Sequence, residues 1–251
     1  MNTKEGSLGA PTRHVIDWSN PDFTDEKKLD EELRRVFDIC HGCRRCFNLC
    51  ESFPNLFDMI DESKTGELDG VASKDFGKVV DACTMCDMCF LTKCPYVPPH
   101  EFNLDFPHLM LRYRYAKRQK KQHSFIDDQL TKTDRNGKTF SKFSNLTNWS
   151  TNTKNGLVRG AMELFLKIDK EAELPKYYSN TFSNQCLSSS NEKVEMTSKD
   201  KVVLFPTCFV NYNNPTLGFT AKKLLEKLNV ETHVFYEGCC GMPQLEGGDI
   251  K

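Results

Sequence analysis

The run Cys40-His41-Gly42-Cys43-Arg44-Arg45-Cys46 with Cys50, and the run Cys83-Thr84-Met85-Cys86-Asp87-Met88-Cys89 with Cys94-Pro95, decide how this chain is read. Each is a triplet of cysteines with two residues between neighbours, followed by a fourth cysteine, after three residues in the first run and four in the second. A [4Fe-4S] cubane takes four thiolates at the corners of a tetrahedron, and a tight triplet lets the backbone curl around one face and supply three. Two triplets therefore predict two cubanes. Structural zinc usually draws on separated pairs and has no need of a third cysteine at the same short spacing. Disulfides belong to small secreted chains, and cysteines in consecutive tight steps are poorly placed to pair with one another.

The fourth ligand of each cluster is a finer question. In two-cluster ferredoxins the last cysteine of each run ligates the other cluster. By that rule Cys40, Cys43, Cys46 and Cys94 hold one cubane, and Cys83, Cys86, Cys89 and Cys50 hold the other. Pro95 after Cys94 agrees with the rule. Glu51 after Cys50 and the extra residue before Cys94 depart from it, so the alternative, in which each run keeps its own fourth cysteine, stays open. His41, Arg44, Arg45 and Lys93 accompany the two runs, where positive charge stabilises a more negative reduced cluster. Salt bridges to surface carboxylates are the plainer role for the arginines.

The remaining composition describes a mixed-charge chain of 251 residues, with 34 basic against 35 acidic residues and 38% hydrophobic. Near-neutral charge gives no reason to expect nucleic acid. No signal peptide and no transmembrane segment is expected, since no run approaches the roughly 20 apolar residues a spanning helix needs. Twelve cysteines imply a reducing compartment, the cytoplasm being simplest.

Three domains are expected. Residues 1–125 form the dicluster domain: an amphipathic helix from Asp25 to Ile39 delivers the chain into the first cysteine loop, with Leu29, Leu33, Val36 and Phe37 on one face. A short helix spans Asp75 to Ala82, and Pro107 starts another that runs into Arg112, Arg114, Lys117, Arg118, Lys120 and Lys121. That basic stretch reads as a solvated face, or as a docking surface for an acidic partner or anionic lipid. Residues 126–199 are expected as a linker and helical connector, a linker over Thr131 to Asn155 and a helix over Leu157 to Ile168, with a boundary near Lys199, and Cys186 as a thiol without a role. In 200–251 the character changes. Val202-Val203-Leu204-Phe205 and Thr232 to Tyr236 read as parallel strands joined by a helix from Pro215 to Leu228. Cys208 follows the first strand, and Cys239-Cys240-Gly241 the second. Ligands gather beyond the carboxyl ends of such strands, so these three cysteines are candidate additional redox or metal residues.

These motifs resemble a family of iron–sulfur oxidoreductase subunits related to heterodisulfide reductase, which includes iron–sulfur subunits of anaerobic glycerol-3-phosphate dehydrogenase and of glycolate oxidase. The likeness rests on the two cysteine runs, on Cys94-Pro95-Tyr96-Val97-Pro98-Pro99-His100, and on Thr207-Cys208-Phe209-Val210 with Cys239-Cys240-Gly241-Met242-Pro243. It implies an α-helical, ferredoxin-like dicluster domain followed by an α/β cysteine-rich domain of the CCG kind. A full CCG unit there closes with a C-x2-C pair. That pair has no counterpart up to Lys251, so a partial (βαβ) CCG domain is expected, partly disordered or docked on the cluster domain and binding no cluster of its own.

The function this reading implies is electron transfer: two [4Fe-4S] clusters between a flavin-bearing dehydrogenase partner and a quinone, membrane-surface or thiol–disulfide acceptor. The location expected is cytoplasmic, including the inner face of the membrane. Two alternatives compete. One is a catalytic disulfide or substrate reductase using a Cys208/Cys239/Cys240 centre, and the other is a non-redox zinc-binding scaffold.

Overall fold

The computed structural model describes residues 10–189 and 200–250, so the boundary expected near Lys199 lies outside the described residues. The chain divides into two units, one running to Ser124 and resuming at Gln244, the other Phe125–Pro243.

In the first unit, helix α1 (Glu26–Cys43) opens on Asp25, whose carboxylate accepts the Lys28 N–H. That N-cap satisfies a donor the helix itself cannot. Leu29, Leu33, Val36 and Phe37 are buried on one face, as their spacing predicts. The helix continues past Ile39, its expected end, and closes on Arg44 in the left-handed conformation (φ 52°). Cys40 and Cys43 thus project from its last turn, three residues apart and on one side. Helix α2 (Ser52–Asp61) buries Phe53, Leu56, Phe57 and Ile60 against α1. Phe53 meets Phe106 with ring centroids 4.8 Å apart, and Phe37 meets Phe76 edge-on at 5.2 Å. Each such buried side chain contributes about 1.5–3 kcal/mol relative to exposure. Helix α3 (Gly77–Asp81) leads into the second cysteine run.

Helix α4 (Phe106–Gln119) starts at the Asp105 cap, with Pro107 in its first turn. The arginines of its basic stretch are engaged within their own unit instead of forming a solvated or docking face. Arg112 donates to the carbonyls of Phe23 (2.8 Å) and Asp22, and Arg114 donates to those of Val80, Cys83 and Glu246. Arg118 pairs with Asp249 at 2.8 Å. Long cationic side chains lying along their own domain satisfy carbonyls that would otherwise be unpaired, and periodicity alone gives no sign of this.

In the second unit the stretch expected as a linker and helical connector carries α5 (Phe125–Thr131), α6 (Thr133–Lys142), α7 (Ser144–Ser150), α8 (Gly156–Leu166) and α9 (Phe182–Ser189); α8 agrees with the helix read over Leu157 to Ile168, while α6 and α7 stand where a linker is expected. The difference has a physical origin: these helices pack through small and polar residues. Gly137, Ser141 and Ser144 are buried. A Cβ at Gly137 would stand 2.2 Å from the Tyr212 ring, so only glycine permits that approach. Asn148 both donates to the Tyr177 carbonyl and accepts its N–H, at 2.8 Å each.

Strand β1 (Lys201–Leu204), α10 (Pro215–Lys227) and β2 (Glu231–Val234) follow. The strands pair in parallel from Lys201↔Glu231 to Leu204↔Val234, as a βαβ crossover requires. Disorder, or docking on the cluster domain, is the expectation for so small a segment. The end of the segment, from Gln244, does belong to the first unit, where Arg114 donates to the Glu246 carbonyl and Arg118 pairs with Asp249, while β1, α10 and β2 fold with the helices of the second: Phe182 packs edge-on against Phe219 of α10 at 5.0 Å, over Gly218.

Candidate metal centres

The eight cysteines of the two runs gather around two cavities. Cys40, Cys43, Cys46 and Cys94 line the first, together with Arg45, Phe53, Phe57, Pro95, Tyr96 and Leu104. Cys50, Cys83, Cys86 and Cys89 line the second, with Leu49, Phe53, Asp87, Met88, Phe106 and Pro107 among its walls. Each cavity thus takes three thiols from one run and the fourth from the other. Phe53 belongs to both.

Local backbone chemistry explains how the runs reach these walls. In the first, α1 supplies Cys40 and Cys43, and turns closed by Phe47 N–H to Arg44 O (3.2 Å) and Leu49 N–H to Cys46 O (3.0 Å) carry the chain to Cys50. In the second, Met85 and Asp87 both hold positive φ (50° and 61°), a conformation that is costly for residues with a Cβ and clusters at functional sites. The Met85 N–H donates to the Cys83 sulfur at 3.4 Å. The extra residue before Cys94 is taken up by a single π-turn, Cys89–Lys93, in which the Cys94 N–H reaches the Cys89 carbonyl at 2.8 Å. Such turns absorb a one-residue insertion without unravelling their neighbours, and they recur at functional sites.

Sequence reasoning missed the clamp on the second run. Arg13 forks onto Asp87 (2.7 and 2.9 Å) and onto Asp105 (2.9 and 3.1 Å), its guanidinium 4.1 Å above the centre of the Phe90 ring. Hydrogen bonds to Asp87 foremost, and to Asp105, hold Arg13 firmly protonated against the cost of its burial. Arg114 fixes the carbonyls of Val80 and Cys83 just before the run. No local spacing signals either role, since both arginines act across long stretches of chain.

Around the first run the cations divide. His41 bonds Asp61 at 2.9 Å and Arg44 bonds it at 2.9 Å, so both are paired with a carboxylate. These two partners, Arg44 foremost, hold the Asp61 carboxyl down at about 2. Arg45, by contrast, lines the first cavity, where its charge offsets part of the burial that raises the Cys94 thiol. The Lys93 side chain lies outside the described residues.

Burial pushes the Cys40 thiol well above its ordinary value, and the neighbouring sulfurs of Cys94, Cys46, Cys89 and Cys43 push it further. Cys83, Cys89 and Cys94 are raised too, burial being the largest cause in each. Crowded, half-buried thiols resist ionisation unless a cationic centre offsets their mutual repulsion. Among the described residues no three His, Cys, Asp or Glu side chains converge on a position for one metal ion. Four thiols walling an apolar cavity are the number and kind of ligand a cubane takes, and in that sense the residues fit one.

The second unit brings Cys208 and Cys239 together, their sulfurs 3.8 Å apart at the carboxyl ends of β1 and β2. Thr133, first residue of α6, donates its hydroxyl to the Cys239 sulfur at 3.2 Å. Burial raises Cys239, but Thr133, the Gly241 N–H and the adjacent thiols of Cys208 and Cys240 outweigh it, and the group ends below its ordinary value. Burial dominates at Cys208, which is raised. Asp134 accepts from Tyr236 (2.7 Å) and Tyr212 (2.9 Å) and pairs with Lys138, pinning α6 against the cysteine-bearing loops. Cys240 is exposed. Cys186, on α9, is raised by burial, with Lys222 and Glu226 as its charged neighbours.

Residues 202–250 match the family described as a cysteine-rich domain, CCG. The chain is 35% identical over 120 residues to one subunit of the anaerobic glycerol-3-phosphate dehydrogenase of Escherichia coli K12, covering 47% of this chain and 29% of that protein. It is 31% identical over 85 residues to citrate utilization protein B of Escherichia coli, covering 34% of this chain and 20% of that protein. The aligned part thus spans less than a third of the curated relatives it matches. No solved structure matches.

Proposed function

We propose that this chain is an electron-transfer component whose first unit holds two [4Fe-4S] clusters, one on Cys40, Cys43, Cys46 and Cys94, the other on Cys83, Cys86, Cys89 and Cys50. The observation that carries this reading is the pair of cavities, each walled by four thiols drawn three from one run and one from the other. When bound, such a cluster accepts or gives one electron at a time. The chain's own residues do the rest. Phe53, Phe57, Phe106 and Leu104 exclude water from the thiols. Arg45 places positive charge beside one set, and Arg13 holds Asp87 and with it the second loop. Backbone N–H groups aimed at sulfur, as Met85 is at Cys83, favour the more negative state.

The partner we propose is a dehydrogenase subunit, because the relative with 35% identity is named as a subunit of one. The acceptor is a quinone or a thiol–disulfide couple. Among the described residues no helix is long and apolar enough to cross a membrane. The number of free cysteines suits a reducing compartment, and we place the chain in the cytoplasm or at the inner membrane face.

Metal analysis of anaerobically prepared protein tests the proposal. About eight irons and about eight acid-labile sulfides per chain are expected. Zinc without sulfide would make the scaffold reading the correct one.

A further inference from the structure

We infer that the cavity between the first half of α1 and the last half of α4 is a binding site for a small organic anion, a carboxylate carried on an apolar body. The site shares no residue with the two four-thiol cavities and does not depend on the function proposed above. Its volume is about 280 Å³. Pockets that hold small ligands begin at about 300 Å³, so the space suits a compact one. The floor is apolar: Leu29, Leu33 and Ala116 are buried and line it, beside the half-buried ring of Tyr113. Such a floor favours hydrocarbon and offers a polar body no hydrogen bonds.

Charge decides the sign of the ligand. Two carboxylates line the cavity, and both are occupied: Glu26 pairs with Lys120, and Asp30 with Arg34 at 2.9 Å. Two ammonium groups on the same lining are not. Lys117 is half-buried and stands over the Tyr113 ring, its Nζ 4.7 Å from the ring centre. Lys74 is exposed, and the neighbouring Asp75 serves Lys78 instead. Neither Lys74 nor Lys117 pairs with a carboxylate among the described residues. The ring face attracts the Lys117 ammonium but accepts no ordinary hydrogen bond, which leaves N–H donors for an acceptor in the cavity. Contact with the ring also holds the side chain in place, so a ligand pays less to order it.

The walls connect this site to both cysteine runs. Helix α1 carries Cys40 and Cys43 in its last turn, and α4 carries Arg114, which donates to the Cys83 carbonyl. An anion bound between the two helices joins the elements on which both thiol sets are built, and it stabilises the folded chain in proportion to its occupancy.

The test uses the full chain, prepared anaerobically, and three probes of one shape: 3-phenylpropionate, the neutral 3-phenylpropanamide and the cationic 3-phenylpropylamine. Each is titrated by calorimetry. Saturable binding of the acid at one site per chain is expected, with the amide about tenfold weaker, roughly the effect of losing one charge-assisted hydrogen bond, and the amine weaker still. A Lys74→Gln, Lys117→Gln double variant should lose at least that tenfold for the acid, with its circular dichroism unchanged. Lys27→Gln, which removes an exposed lysine of α1 outside the cavity, should bind the acid as the wild type does. Absence of saturable acid binding would overturn the inference. So would an amine that binds as tightly as the acid, a double variant with wild-type affinity, or an equal loss in Lys27→Gln.

Discussion

The two units place their cysteines by opposite means. The first does so by apolar packing: Leu33, Val36, Phe37, Phe53, Leu56, Phe57, Ile60, Phe76 and Met110 share one core, and the half-buried thiols of Cys40, Cys46, Cys50, Cys89 and Cys94 pack against it. In the second, Phe182 and Tyr212 are the buried large apolar side chains among the described residues, while Phe143, Leu146, Trp149, Leu157, Leu164 and Phe165 stand exposed. Polar contacts hold it instead. Arg159 is fully buried and donates to the carbonyls of Lys170 (3.1 Å), Asp169 (2.7 Å) and Ala172 (2.7 Å). Asp134 and Thr133 fix the thiol pair through hydrogen bonds. The thiols of the first unit stand against an apolar wall, whereas the Cys208–Cys239 pair is held by the donors that touch it.

Removing one apolar wall should therefore damage the first unit most. Phe53→Ala empties a position 2% exposed that lines both cavities. A loss of about 3–5 kcal/mol is expected from truncating such a side chain. Iron should fall at both sites together, measured by metal content and by thermal unfolding. Full iron retention would show that the shared wall is not what positions the thiols.

A smaller effect, confined to the second unit, should follow Arg159→Met. Three carbonyls lose their donor at once, and a hydrogen bond from a charged group contributes about 1.5–3 kcal/mol. Proteolysis within 125–243 should quicken while iron content stays at the wild-type level. Iron loss in this variant would mean that the two units do not stand on separate supports.

The smallest effect belongs to the exposed clasp on the first run. Asp61 titrates at about 2 in the folded chain, against an ordinary 3.8, because Arg44 and His41 bond its carboxylate. A depressed acid stabilises the fold while it is ionised. Its contribution is complete above about pH 4 and is lost as the pH falls toward about 2. Asp61→Asn should flatten the acid limb of a pH–stability curve between those values and leave its slope unchanged at pH 7 and above. A curve that keeps its acid limb would assign the acid sensitivity to other carboxylates.

How far the sequence reveals this contrast follows from the same physics. The gathering of the eight cysteines is legible because their spacing is local, and α1 is legible because its buried residues repeat at helical period. The βαβ unit is legible too, as two short apolar runs around a helical pattern. Helix α8 is legible from the pattern of Leu157 to Ile168, but α6 and α7 are not. Their packing depends on Gly137, Ser141 and Ser144, whose small side chains read as loop. Arg13 and Thr133 are invisible for another reason: each acts on a residue far along the chain, Asp87 and Cys239, and only the tertiary fold sets that distance. The last turn of α1 escapes notice because His41 and Gly42 look like a loop between ligands.

Exchange of the fourth ligand between the two runs is the central claim, and single substitutions read by electron paramagnetic resonance on the reduced protein test it most directly. Cys94→Ser should alter the same cluster signal that Cys43→Ser alters, and Cys50→Ser the one that Cys86→Ser alters. That follows from Cys94 standing at the first cavity and Cys50 at the second. If Cys94→Ser instead reproduces the Cys86→Ser spectrum, each run keeps its own fourth thiol and the exchange does not occur.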